Sequence, residues 1–334
     1  MKKLQIILVS AILLLLMFSD IVKADSSYDE IEKKTLTEWL DVQIKDFFNG
    51  DFSDDLNDYV EDQIAFKKLL RELKSITKYH LQLSPENNGI YVSGEHLFER
   101  VFPKNDKAID KYLETIKRLE EKFNIDEHFV IPDKSLYLDE FLHLNKSDFE
   151  ELNLLFDLFD IDDFYKTDLH LSHQGAYKLY HHLVKDALSL DFKEVSQDFQ
   201  GYYYNKSMYS LLKDSIYQID NDLVKNLTIC KLDDCYDSVY FDKELEGHDK
   251  YTYFSGGVSP ITTITNPNGE GELVIFGDSY SQSLSIFMAL NYAKVTVVDL
   301  RLININEVEK YIGSDYKAIS VYGLKTINDG SITN

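Results

Sequence analysis

Apolar and polar positions divide the chain into a helical first part, an irregular middle and an orderly last third. From about Tyr28 to Tyr79 apolar residues recur at helical spacing, in Leu36, Leu40 and Phe47 and again in Phe66, Leu69, Leu70, Leu73 and Ile76. This predicts an acidic helical region, in which the sole tryptophan, Trp39, reads as a packing anchor. Asn87-Asn88-Gly89 is a turn sequence, followed by a short strand over 90–92. Over 105–124, Ile109, Tyr112, Leu113, Ile116, Leu119 and Phe123 form one stripe of an amphipathic helix. Phe129-Val130-Ile131 before Pro132 reads as the end of a strand, and 136–163 as helical and acidic in parts. Ser172 is placed to cap a helix running to about Leu188, with Ala176, Leu179, Tyr180, Leu183, Val184 and Ala187 turned inward.

Residues 190–255 are the least regular and are rich in tyrosine, including Tyr202, Tyr203 and Tyr204; they read as an insertion or cap. The last third alternates: a strand over 273–276, a helix over 279–292, a strand over 295–300, a helix and a strand over 318–322. The fourth of these, the helix, opens at the capping-box pair Asn304 and Glu307 and stops near Gly313. Such alternation with short connections predicts right-handed crossovers and an open parallel sheet flanked by helices, an α/β fold. The expected organisation is a helical region over 25–84 and an α/β domain over 85–334 with a cap at about 190–255.

The N-terminus adds a targeting signal. Lys2 and Lys3 precede an uncharged apolar run over 4–18, and Val22-Lys23-Ala24 offers small residues where a signal peptidase reads. Residues 1–24 are therefore expected to be a signal peptide or, with Asp20 and Lys23 at the interface, an N-terminal anchor, so that the protein works outside the cytoplasm. In that setting a bridge between Cys230 and Cys235 is expected; two unpaired thiols are the alternative. The 35 Lys and Arg against 58 Asp and Glu leave a net charge of -23, which repels phosphate backbones and excludes nucleic acid as a partner. The histidines form no metal-ligand spacing, and neither a metal nor an organic cofactor is implied.

Sites in open parallel sheets form at the carboxyl ends of strands. Gly277-Asp278-Ser279 stands at one such end. Gly277 permits a tight turn, and a hydroxyl at the start of the next helix meets backbone N–H groups able to hold an oxyanion. A serine at a helix start is also an ordinary cap. Asp168 and His170 are two residues apart, and in an extended segment both point to the same side. Asp168 then accepts the Nδ1 proton of His170 and leaves Nε2 free to take the proton of Ser279.

The stretch from Tyr165 to Ala176, YKTDLHLSHQGA, resembles the motif T-D-x-H-W-T-x-x-G-A of the bacterial DHHW family, which is similar to the SGNH-like alginate O-acetyltransferase proteins. Gly277-Asp278-Ser279-Tyr280-Ser281 follows in the expected order. Further matches are Tyr59 and Asp62, Asn88-Gly89-Ile90-Tyr91, Asp198-Phe199-Gln200-Gly201, Asp249-Lys250-Tyr251, Gly256-Gly257 and Asp299-Leu300-Arg301, so the resemblance spans about 45 to 325. Two positions depart from it: Leu171 stands where the motif has Trp, and Val258 where Asn often follows the glycine pair.

The resemblance implies an SGNH-hydrolase-like sheet with Ser279, His170 and Asp168 as a catalytic triad. Arg301, Gly257 and Tyr322 are candidates for binding substrate, supporting the oxyanion or lining the cleft, against a salt bridge for Arg301 and a simple turn for Gly257. The implied function is O-acyl transfer, with acetyl the expected group, to a cell-surface or secreted polysaccharide, partnered by a membrane-bound O-acyltransferase. A carbohydrate esterase using the same trio and a non-catalytic glycan-binding or scaffolding protein are the alternatives.

Overall fold

The computed structural model describes residues 23–29, 31–38, 51–81, 83–101, 103–138 and 146–332, with the isolated positions 7, 10, 11 and 19. Most of the expected leader over 1–24, together with Trp39, Leu40 and Phe47, lies outside the described residues. No helix among the described residues is long and apolar enough to cross a membrane. The chain divides into two compact units, Met1–Ser84 and Pro85–Asn334.

In the first unit β1 (Tyr28–Asp29) pairs antiparallel with β2 (Lys34–Thr35), ahead of helices α1 (Asp51–Gln63) and α2 (Lys67–His80). Asp62 on α1 accepts from the Thr37 amide at 3.0 Å and from Lys34 at 2.6 Å. This explains a match of the resemblance as a structural tie. Tyr59 likewise donates to the Asp25 carboxylate at 2.9 Å.

The second unit opens with β3 (Glu86–Asn87), β4 (Ile90–Ser93) and β5 (His96–Glu99), an antiparallel sheet turned by Asn88 and Gly89, both at positive φ. Helix α3 (Asp106–Phe123) follows. It is capped at both ends: the Asn105 side chain accepts from the Ala108 amide, and Asn124 ends it in the left-handed conformation. Then come β6 (Glu127–Ile131), the single turn α4 (Ser135–Leu138), α5 (His173–Leu183), β7 (Phe192–Phe199), α6 (Tyr202–Ser207), β8 (Asp214–Ile219), β9 (Thr228–Lys231), β10 (Asp234–Tyr236), β11 (Ile261–Thr265), β12 (Glu272–Gly277), α7 (Ser281–Met288), β13 (Lys294–Val298), β14 (Lys317–Gly323) and α8 (Leu324–Asn328).

The central sheet is a seven-stranded one in the order β10-β9-β11-β13-β12-β14-β6. Its last four strands, β13, β12, β14 and β6, are mutually parallel. β11, β9 and β10 join them antiparallel. β12 sits between β13 and β14, both of which follow it in sequence, so strand order reverses at its carboxyl end and opens a crevice there. Alternation along the strands feeds two cores. Leu273, Ile275, Val295 and Ile319 face α5 and α7, whereas Val274, Phe276, Val298 and Ala318 face α3.

Several expectations change. The helix expected over 136–163 reduces, among the described residues, to α4 and three short 3-10 turns. Acidic side chains there bond the backbone in competition with a helix, as Asp160 does with the Asp162 amide. α5 ends at Leu183 rather than Leu188, where the Tyr180 hydroxyl takes the Leu188 amide at 2.8 Å. The helix after Asn304 is one turn, Val308–Lys310, because the Asn304 side chain caps the Asn306 amide locally and Gly313 follows closely. Residues 190–255 are also more regular than an inserted cap requires. β7 and β8 form a hairpin, while β9 and β10 extend the main sheet and carry the Cys230–Cys235 disulfide between directly opposed positions.

Candidate active site

The trio expected from sequence converges at the crevice beyond β12. The His170 Nδ1 lies 2.6 Å from Asp168 Oδ1, and its Nε2 lies 2.8 Å from Ser279 Oγ. A carboxylate only accepts, so Nδ1 carries the proton and Nε2 accepts from the serine hydroxyl. Asp168 and His170 are buried and Ser279 is half-buried, so the relay leads from the interior to a reachable oxygen.

Each member is held from below. Ser279 sits in the turn between β12 and α7, one position short of the Tyr280 cap rather than within the helix. Asp278 fastens that turn: one carboxylate oxygen takes the Tyr280 amide at 3.1 Å and the other the Gly323 amide at 2.9 Å, tying β12 to β14. Gly277 is required here, since a Cβ would stand 2.1 Å from Ser281 Oγ and 2.6 Å from the Val321 carbonyl. The Tyr280 hydroxyl donates to the Leu169 carbonyl at 2.8 Å and so links the nucleophile turn to the base loop. The Tyr251 ring stacks on the His170 imidazole with centroids 3.8 Å apart and planes 7° from parallel, fixing its plane.

The base loop is as tightly specified. The second Asp168 oxygen accepts the Tyr202 amide at 2.7 Å, at the start of α6, while the first also takes the His170 amide at 2.9 Å. Burial pushes the Asp168 carboxyl up, but the His170 charge and these hydrogen bonds outweigh it and hold the group below the ordinary carboxylate range. Thr167 donates from both its amide and hydroxyl to Asp214, at 2.8 and 2.6 Å. The motif glycine Gly175 lies against the Asp163 carbonyl, where a Cβ would come to 2.2 Å.

The remaining candidates separate. Gly256 and Gly257 follow Ser255 in a run of three residues at positive φ, a left-handed turn that glycine favours. Gly257 and Val258 line a narrow pocket with Asp278, Gln282 and Asp299, beside the nucleophile turn. Val258, in the place of the motif Asn, is 50% exposed and presents no polar group. Arg301 is engaged by Asp299 through two nitrogens at 2.9 and 2.6 Å, the salt-bridge alternative. Tyr322, expected to line the cleft, is corrected: it is fully buried, edge-on to Tyr112 at 5.7 Å, because its side chain alternates onto the α3 face of β14. Leu171 is likewise buried in the core, so its departure from Trp is a packing change. Of the tyrosine run, Tyr203 and Tyr204 are buried and Tyr202 is 38% exposed. Among the described residues no group of metal-binding side chains occurs.

Two histidines, the buried His96 and the half-buried His173, give the second unit an acid sensitivity. Burial lowers His96 to about 4, assisted by the nearby Lys134 charge, and lowers His173 to about 4. The folded state then binds fewer protons than the unfolded chain between about pH 4 and 6.5, so stability is full above that window and falls as pH drops through it. A decrease of about 2 kcal/mol from pH 7 to pH 5 is expected, discounted for partial exposure. Urea midpoints at the two pH values check it.

No protein-family model matches the chain, and none of the curated proteins matches it. The fold does have solved counterparts. A DHHW family protein from Eubacterium siraeum superposes with a TM-score of 0.59 at 14% identity, over 75% of this chain and 96% of that one. Bacillus cereus PatB1, in a structure with a sulfonyl adduct, gives 0.57 at 14% identity over 73% and 98%. A second structure of PatB1 gives 0.55 at 14% identity over 73% and 99%. At these identities the likeness is one of fold.

Proposed function

We propose that the unit Pro85–Asn334 is an SGNH-like, serine-dependent O-acyltransferase, and that the hydrogen-bonded relay Asp168–His170–Ser279 carries its chemistry. Ser279 Oγ attacks the acyl carbon of a donor ester while His170 Nε2 takes the hydroxyl proton. The tetrahedral oxyanion faces the turn that carries Ser279 and the Gly256–Gly257 turn, and the backbone N–H groups of Ser279 and Gly256 are the candidate donors. On collapse His170 returns the proton to the departing alcohol, leaving an acyl ester on Ser279. An acceptor hydroxyl then gives its proton to His170 and attacks that ester, and His170 passes the proton to Ser279 Oγ as it leaves. The DHHW resemblance supports a polysaccharide hydroxyl as acceptor. The expected leader supports action outside the cytoplasm, with a membrane-bound O-acyltransferase as the source of acyl groups.

A chromogenic acetyl ester as donor tests this, with and without a candidate polysaccharide, in wild type and Ser279→Ala. Wild type is expected to release chromophore and to place acetyl on the glycan, and Ser279→Ala to lose at least about 10³-fold in rate. Release with water as the sole acceptor for every glycan tried makes the protein an esterase. Equal rates in the two proteins refute the nucleophile, and glycan binding without turnover then becomes the reading.

A further inference from the structure

Lys134 takes no part in the relay, yet its side chain is 1% exposed and ends inside the loop that carries the base. Its Nζ donates to the carbonyls of Tyr165 at 2.7 Å, Asp168 at 2.9 Å and Lys166 at 3.2 Å. Three carbonyl acceptors require three N–H groups, which an ammonium has and a neutral amine lacks. The carboxylates of Asp133, Asp168 and Asp214 face this charge, with the Tyr203 ring 5.0 Å away and His96 as a further titratable neighbour. Asp214 binds the same loop from the other side, through the Lys166 amide and Thr167.

We propose that Lys134 is a positioning residue for acyl transfer: its ammonium clamps the turn from Tyr165 to Asp168 and offsets the carboxylates of Asp168 and Asp214, so that His170 is held in place and kept a usable base. The inference rests on the Ser279–His170–Asp168 reading. The clamp delivers the Asp168 side chain to His170, and the charge sets how strongly the local field favours a proton on the imidazole. Burial pushes the Lys134 ammonium below the ordinary lysine range, while the Asp214, Asp168 and Asp133 carboxylates and the three carbonyls favour its charge.

A clamp without an electrostatic role lowers rate and stability and leaves the pH profile in place. The proposal predicts two opposite displacements. Removing a cation beside the base favours its protonation, so in Lys134→Met the acid limb of kcat/KM moves to higher pH. Removing a carboxylate does the reverse, so in Asp214→Asn the limb moves to lower pH, each by about half a unit or more. Lys134→Met is also expected to lose at least tenfold in kcat. Asp214→Asn is nearly isosteric but turns an NH₂ toward the Lys166 or Thr167 amide, so its unfolding midpoint is measured beside its profile; a folded Asp214→Asn decides the question if Lys134→Met does not fold.

The profile is measured twice on the full chain, by hydrolysis of the acetyl ester and by the rate at which a sulfonyl fluoride modifies Ser279, followed by intact mass. Acid limbs that superimpose in the folded variants and wild type overturn the proposal. If wild type is sulfonylated but turns over no ester, the function reading fails while the modification rates still decide the role of Lys134. If wild type is not modified at any pH, the base assignment fails and this proposal falls with it.

Discussion

Asp168→Asn is expected to lower kcat by about 10⁴-fold, the size of effect seen when a triad carboxylate is made an amide. The two oxygens of Asp168 have only donors around them: the Tyr202 amide on one, the His170 amide and Nδ1–H on the other. An amide has one oxygen to offer. With its NH₂ toward Tyr202, a buried donor meets a donor and the loop must shift. With its NH₂ toward His170, the ring must accept at Nδ1 and carry its proton on Nε2. That nitrogen then faces Ser279 Oγ, 2.8 Å away, as a donor and cannot take the hydroxyl proton. Either orientation leaves a buried donor facing a donor, the Tyr202 amide or the His170 amide, and the loss falls on kcat because Ser279 no longer has an acceptor for its proton. Steady-state rates on the acetyl ester check this, with thermal unfolding as the control.

Gly201→Ala is the second large effect, and it begins in packing. A Cβ at this position would stand 2.3 Å from Asp168 Oδ2 and 2.4 Å from Asp168 Cβ, so the side chain or α6 must move. Overpacking of this kind costs about 1–3 kcal/mol. Either movement breaks the bond from the Tyr202 amide and swings the carboxylate that aims His170. A loss of at least about 10²-fold in kcat is expected, since displacements near 1 Å reach that size. Unfolding midpoints together with kcat for Gly201→Ala measure both parts; a variant that unfolds earlier but retains full kcat contradicts the link drawn between this glycine and the base.

Much of this site is legible in the sequence, for a physical reason. Asp168 and His170 are two residues apart, and Ser279 follows a buried strand and a glycine, so the spacing itself encodes direction. The parallel strands were legible because runs such as Leu273–Phe276 are apolar on both faces. What spacing does not encode is contact across the fold. Lys134 lies 34 residues before Asp168, and Tyr251 lies 28 before Ser279. Nothing local marks Lys134 as buried, since an isolated lysine reads as surface. Gly201 was visible within a motif match, but its reason, the Asp168 carboxylate against its Cα, belongs to the tertiary structure. Tyr322 failed in the opposite direction. The end of a strand was legible, and the face onto which its side chain turned was not. The lost helices at 136–163 and after Asn304 show Asp and Asn side chains satisfying the backbone locally where periodicity alone predicted continuation.

The central claim is that Ser279 becomes covalently acylated with His170 as its base. Intact mass of the full chain, sampled within seconds of mixing with an activated acetyl ester, addresses it directly, with Ser279→Ala and His170→Gln in parallel. The account predicts one added acetyl group in wild type, located to the peptide holding Ser279, and none in either variant. An unmodified wild type, or an acetyl group that persists in Ser279→Ala, contradicts it.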